Sequence, residues 1–263
     1  MTYRQFYEET LVALRKVKAP NLYVEDFVSL ANKAILDSCR VAYKLFETTQ
    51  EWSDALETLK QDVTLTFRTI TGPTYTGDIN TPATVSYNAN GKYNSEAYRI
   101  TLPGNYWHML GLELTTVNIK VVKCYPKGYV QSNEVKYLTS DQGAKAQDND
   151  YLKIKSSRPY YQMRKSVANN IQDFTLFTGK AGDVLADKLY IEYLKLPELI
   201  SLTVQDIERP IESDNTPEME FTRDFCYRII DAMVAIQMEN SGMQRLSSYM
   251  PVNKPINVQQ GSE

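Results

Sequence analysis

One histidine, three cysteines and no apolar run near the ~20 residues of a membrane span are what this chain of 263 residues has least of. His108 stands alone between Trp107 and Met109, which argues against a histidine-rich metal site and favours a packed side chain over a general base. Cys39, Cys124 and Cys226 are odd in number and widely spaced. They form neither a disulfide framework nor a metal knuckle, and read as reduced, partly buried thiols. The first residues, among them Tyr3, Arg4, Gln5, Glu8 and Glu9, lack the apolar centre of a signal peptide. The expectation is a chain made and folded in a reducing cytoplasm, with no membrane partner. No dinucleotide fingerprint and no Gly-x-Ser-x-Gly elbow occurs, and Gly72 to Gly77 lacks the Lys and Ser or Thr of a phosphate loop. The net charge of -3 has no long block of either sign, so a basic surface for nucleic acid is not expected.

The 43% hydrophobic content is enough for a globular core. Tyrosine is the compositional oddity, at 19 residues. Its large apolar ring and polar tip suit interfaces as well as cores. Glu8-Glu9, Glu218-Glu220 and Asp148-Asp150 are carboxylate pairs, but they sit at helix starts or in polar loops and read as solvated surface. Glycosidase acids can lie far apart in sequence, which keeps a glycan hydrolase as a remote alternative. Tyr106-Trp107 and Tyr160-Tyr161 read either as a sugar-binding platform or as core. No catalytic residue, cofactor site or metal ligand is assigned, and the reading is a protein that is not an enzyme.

The pattern is helical at both ends and β-rich between. Residues 2 to 17 form a short amphipathic helix that stops at Ala19-Pro20. A second helix starts near Val24, with Phe27, Leu30, Ala31, Ala34, Ile35, Val41, Ala42 and Leu45 as its stripe. Thr48 and Glu51 have capping-box spacing before a third helix carrying Trp52, Ala55, Leu56 and Leu59. Near the other end, Thr216, Pro217, Glu218 and Glu220 resemble a cap, a first-turn proline and dipole-matching acids. They predict a helix with Phe225, Cys226, Ile229, Ile230, Met233 and Ile236 on one face, closed at Gly242.

Between these, Val63, Leu65 and Phe67 alternate with polar residues, and so do Leu189, Ile191 and Tyr193 before the stop at Pro197. Strand character also appears at Tyr98 to Pro103, in the apolar run Trp107 to Val117, at Ile119 to Val122, and from Val167 to Phe177. The polar stretch 71–97 reads as a loop with one hairpin signal, Asn90-Gly91. Residues 131–150 read as polar loop. The fold class expected is α+β, a helical bundle of N-terminal helices and a C-terminal helix with an inserted β-rich module. The divisions are 1–62 for the first helices, 63–197 for the β module, 198–245 for the loop and last helix, and 246–263 for an extended tail. That tail has two prolines, no period and few anchors.

Leu102-Pro103-Gly104-Asn105-Tyr106, the strand Tyr190-Ile191-Glu192-Tyr193-Leu194-Lys195-Leu196-Pro197, and the helix from Phe225 to Glu239 followed by Arg245 carry a family likeness. In this order they resemble the head-to-tail connector proteins, adaptor or ring, of short-tailed, crAss-like bacteriophages. The resemblance implies a structural virion protein: a ring, usually twelvefold, stacked below the portal, forming part of the DNA channel and linking capsid portal to tail. It implies as partners other copies of the chain, the portal protein, neighbouring tail or ring proteins, and genomic DNA passing without sequence-specific contact. It implies a place at the head-tail junction of the virion after synthesis in the host bacterial cytoplasm. The tail then becomes the docking segment, with Tyr249, Met250, Pro251, Val252, Pro255, Ile256 and Val258 as its contacts. The alternative of a different class is a carbohydrate- or receptor-binding tail module.

Overall fold

The computed structural model describes residues 1–17, 22–46, 48–67, 74–76, 84–88, 96–118, 126–139, 142, 154–155, 157–165, 172–179, 184–210 and 214–240. The fold is mixed α+β, and the chain divides into two units, Met1–Leu59 with Pro197–Glu263, and Lys60–Leu196.

The helical unit is assembled from both ends of the chain. It contains α1 (Tyr3–Lys16), α2 (Val24–Lys44), α3 (Gln50–Leu56) running into a 3-10 turn at Glu57–Leu59, α4 (Val204–Glu208) and α5 (Arg223–Asn240). A capping box starts α1: the Thr2 hydroxyl accepts the Gln5 amide at 3.2 Å, and the Gln5 side chain accepts the Thr2 amide at 3.1 Å. On α2, Phe27, Ala31, Ala34, Ile35, Cys39 and Ala42 are fully buried. Val41 lies at the margin of that stripe and is 39% exposed. The helix α5 packs on α1 and α2, burying Phe225, Cys226, Ile229, Ile230 and Met233, with Val234 and Met238 added to the expected face. Ile236 is half-buried.

Two helix starts differ from expectation. Thr49, not Thr48, precedes α3, and it makes no side-chain cap; the Thr48 hydroxyl turns back to donate to the Leu45 carbonyl. The last helix begins at Arg223, with the Thr222 hydroxyl accepting from the Phe225 amide at 3.4 Å. Residues 217–219 are unavailable for helix because they pair with the start of the chain. Tyr3 donates its amide to the Pro217 carbonyl at 2.9 Å, and Met219 donates to the Met1 carbonyl at 2.8 Å, flanking an antiparallel bridge between Thr2 and Glu218. The closing position Gly242 lies outside the described residues.

The β unit is a two-layer sandwich. Its four-stranded sheet has the order β1 (Lys60–Thr66), β10 (Val184–Lys195), β5 (Tyr106–Asn118), β6 (Val130–Glu134), all antiparallel. The six-stranded sheet runs β2 (Thr74–Thr76), β3 (Thr84–Asn88), β4 (Glu96–Thr101), β9 (Gln172–Gly179), β8 (Tyr160–Lys165), β7 (Lys136–Tyr137). One core joins them, with Val63, Leu65, Leu114, Leu189 and Ile191 from the first sheet and Tyr98, Ile100, Phe174 and Leu176 from the second. The expected alternation of Leu189, Ile191 and Tyr193 is the inward face of β10. Register shifts near Tyr193 and Lys195 break the period, and Leu194 is buried as well.

The stretch 71–97 is more than a loop: β2 and β3 lie in it, and β3 pairs antiparallel with β4 across a segment containing Asn90-Gly91. Likewise β6 and β7 occupy the start of 131–150. All their side chains but that of the half-buried Asn133 are exposed, so they show no hydrophobic alternation to mark them. These two strands close one side of the sandwich with a single run of chain. After β6 pairs with β5, Val135 enters the core and donates its amide to the Leu112 carbonyl at 2.9 Å. The chain then crosses to the other sheet, where β7 pairs in parallel with β8. Ile119 to Val122 lies outside the described residues.

Candidate interaction surface

The four-stranded sheet, with Lys136, Tyr137 and Tyr161 of the other sheet, lines a groove of about 930 Å³. Strand pleating brings alternate residues of four strands to it. From β1 come Asp62 and Thr64, from β10 Tyr190 and Glu192, from β5 Gly111 and Glu113, and from β6 Ser132 and Glu134. The register sets Asp62 opposite Glu192, Glu192 opposite Gly111, Tyr190 opposite Glu113, and Glu113 opposite Glu134. Gly111 leaves room beneath Glu192; a Cβ there would lie 3.3 Å from a Glu192 carboxylate oxygen. Lys60 pairs with Glu192 at 2.5 Å, and the Ser132 hydroxyl donates to Glu113. Four carboxylates and the 40%-exposed Tyr190 make a surface rich in hydrogen-bond acceptors. Among the described residues, no three His, Cys, Asp or Glu side chains are placed to hold a metal ion.

The aromatic pairs do not form a joint platform. Tyr106 and Tyr160 are buried, the first against the Tyr193 ring at 5.8 Å and the second in a small cluster with Phe177 and Leu138. Trp107 and Tyr161 are half-buried. Instead, Tyr137, Tyr161 and Phe174 form an edge-to-face series from the surface inward, with centroids 5.4 and 5.8 Å apart. The exposed member, Tyr137, sits in a two-residue edge strand with no strand pattern to single it out.

His108 is half-buried with its ring 4.5 Å from that of Trp107, and burial lowers its pKa, so the imidazole is neutral at pH 7. Burial pushes the Cys39 thiol up to about 12 and that of Cys226 to about 11, which leaves both as protonated core residues. Cys124 and the expected docking residues Tyr249, Met250, Pro251, Val252, Pro255, Ile256 and Val258 lie outside the described residues. No described helix is long and apolar enough to cross a membrane.

No protein-family model matches the chain, and no curated protein matches it in sequence.

Proposed function

We propose that the chain is the subunit of a ring-forming head-to-tail connector, an adaptor below the portal of a short-tailed, crAss-like bacteriophage. In this reading it forms part of the DNA channel, links portal to tail, and uses residues 246–263 to dock on a neighbouring ring. The observation that carries the reading is the division of labour along the chain. One helical unit is built from both chain ends, and a β sandwich is inserted between them. This is the arrangement that the family likeness calls for. The mixed, mildly acidic charge fits a channel wall that does not grip phosphates. The test is the protein content of purified particles: the chain belongs among the structural proteins, at a copy number matching the portal. Detection in infected cells but never in particles would overturn the reading.

A second reading, a carbohydrate- or receptor-binding tail module, draws on the groove itself, where Tyr190 and Tyr137 are exposed beside carboxylates able to accept sugar hydroxyls. Its test is glycan binding that Tyr190→Ala abolishes.

A further inference from the structure

We infer that the four-stranded sheet continues from one copy of this chain to the next, with β6 of one copy pairing antiparallel to β1 of its neighbour. This inference rests on the ring reading above.

The two margins of the sheet are chemically ready for it. In the β5–β6 ladder, Asn118 donates to the Tyr129 carbonyl at 3.0 Å and Val135 to that of Leu112 at 2.9 Å. Odd-numbered residues of β6 therefore bond to β5, and the peptide groups of Val130, Ser132 and Glu134 point away from the sheet. At the other margin, the Phe67 amide donates to the Asp187 carbonyl at 2.7 Å. That sets the same parity for β1, so the peptide groups of Asp62 and Thr64 point outward. Among the described strands both lie at the ends of the sheet, and Asp62, Thr64, Val130, Ser132 and Glu134 are all exposed.

Strand direction settles which partner fits. The four strands alternate up and down, so β6 runs opposite to β1. A second copy placed alongside by rotation presents β1 antiparallel to β6, and the ladder continues without a break in pattern. The two margins differ, so the contact is heterologous and repeats from copy to copy, as a closed ring requires. Charge selects the register. Ser132 opposite Asp62 and Val130 opposite Thr64 bring Glu134 opposite Lys60. A slip of two residues would instead set Glu134 against Asp62, adding a third directly opposite like-charge pair to Asp62–Glu192 and Glu113–Glu134, at a further cost in stability.

The test uses the full chain and native mass spectrometry over a concentration series. Ser132→Pro removes an amide that points away from β5, so the sandwich keeps its own ladder while the edge loses a donor. The expected result is an oligomeric wild type, a single-copy S132P with unchanged circular dichroism and melting temperature, and an oligomeric S132A. If S132P itself melts lower, charge exchange decides instead. E134K, which sets a second cation against Lys60, should weaken assembly severalfold, and E134Q should weaken it less. Assembly of S132P or of E134K as in wild type would overturn the edge pairing while leaving the ring reading intact. A wild-type chain that stays single at every concentration also overturns the edge pairing; the ring reading then stands or falls on particle content.

Discussion

The Asp214 carboxylate accepts the Thr2 hydroxyl at 2.8 Å across 212 residues of sequence. The same carboxylate accepts the amide and the hydroxyl of Thr216, at 3.0 and 2.7 Å. Arg4 adds to the seam by donating to the Arg209 carbonyl at 2.6 Å. The start of the chain is thus fastened to the segment that precedes the last helix, and the helical unit depends on that seam.

The backbone and hydroxyl bonds from Thr216, then that from Thr2, hold the Asp214 pKa below its ordinary value of 3.8. A depressed carboxylate stabilises the fold above its unfolded pKa, and the contribution is lost as the pH falls through the folded value. Asp214→Asn should therefore melt below wild type at pH 7, with the gap closing on acidification below about pH 3.8. Thermal melts of both proteins at pH 7 and pH 3 check this. A gap of the same size at both values would contradict it.

Ile229 is fully buried on α5, on the face that meets α1 and α2. Ile229→Asp would place an unpaired carboxylate there, costing several kcal/mol against a typical domain stability of ~5–15 kcal/mol. Loss of soluble, cooperatively folding protein is expected. A soluble variant with the wild-type melting temperature would show that this face is not core.

Thr115 repairs the irregularity of β10 near Asp187. Its hydroxyl accepts the Lys188 amide at 3.0 Å and lies 3.2 Å from the Lys188 carbonyl, to which it donates. Thr115→Val keeps the shape and removes both bonds, with an expected loss of about 1–3 kcal/mol. Urea unfolding checks the size, and an unchanged midpoint would mean the bulge needs no such support.

Gly128 has a φ of 85° in the turn that leads into β6, where Tyr129 donates back to the Pro126 carbonyl at 3.2 Å. An alanine there adopts a left-handed backbone at a cost of ~1–2 kcal/mol. Gly104 has neither a positive φ nor an atom near an added Cβ, so Gly104→Ala serves as the neutral comparison. Equal stability of the two variants would contradict the turn assignment.

A chain ending at Gly242 should keep its circular dichroism and melting temperature but fail to join the portal complex, if residues 246–263 are the docking segment. Incorporation of the shortened chain into particles at normal occupancy would show that the tail is dispensable.

What could be read from sequence follows the range of the forces involved. The helix α2 was legible because 21 residues repeat one apolar stripe, and β1 and β10 because each has a buried face and a polar one. The start of α5 was not legible. Thr216 and Pro217 carry good local helix signals, but the Thr216 hydroxyl and the Pro217 carbonyl accept amides of Arg4 and Tyr3, more than two hundred positions earlier. The strand β6 was missed because nearly all of its side chains meet solvent, and its role is carried by peptide groups common to every residue. The acidic groove shares that difficulty. Asp62, Glu113, Glu134 and Glu192 come from four strands and meet only through pairing register.

Electron cryomicroscopy of the portal vertex would show the place of this chain in a particle. A closed ring of density is expected directly below the portal, into which the β sandwich fits, one copy per repeat, with its four-stranded sheets in lateral contact. Density for this chain at the tail tip, or no density for it anywhere in the particle, would overturn its role as a connector below the portal.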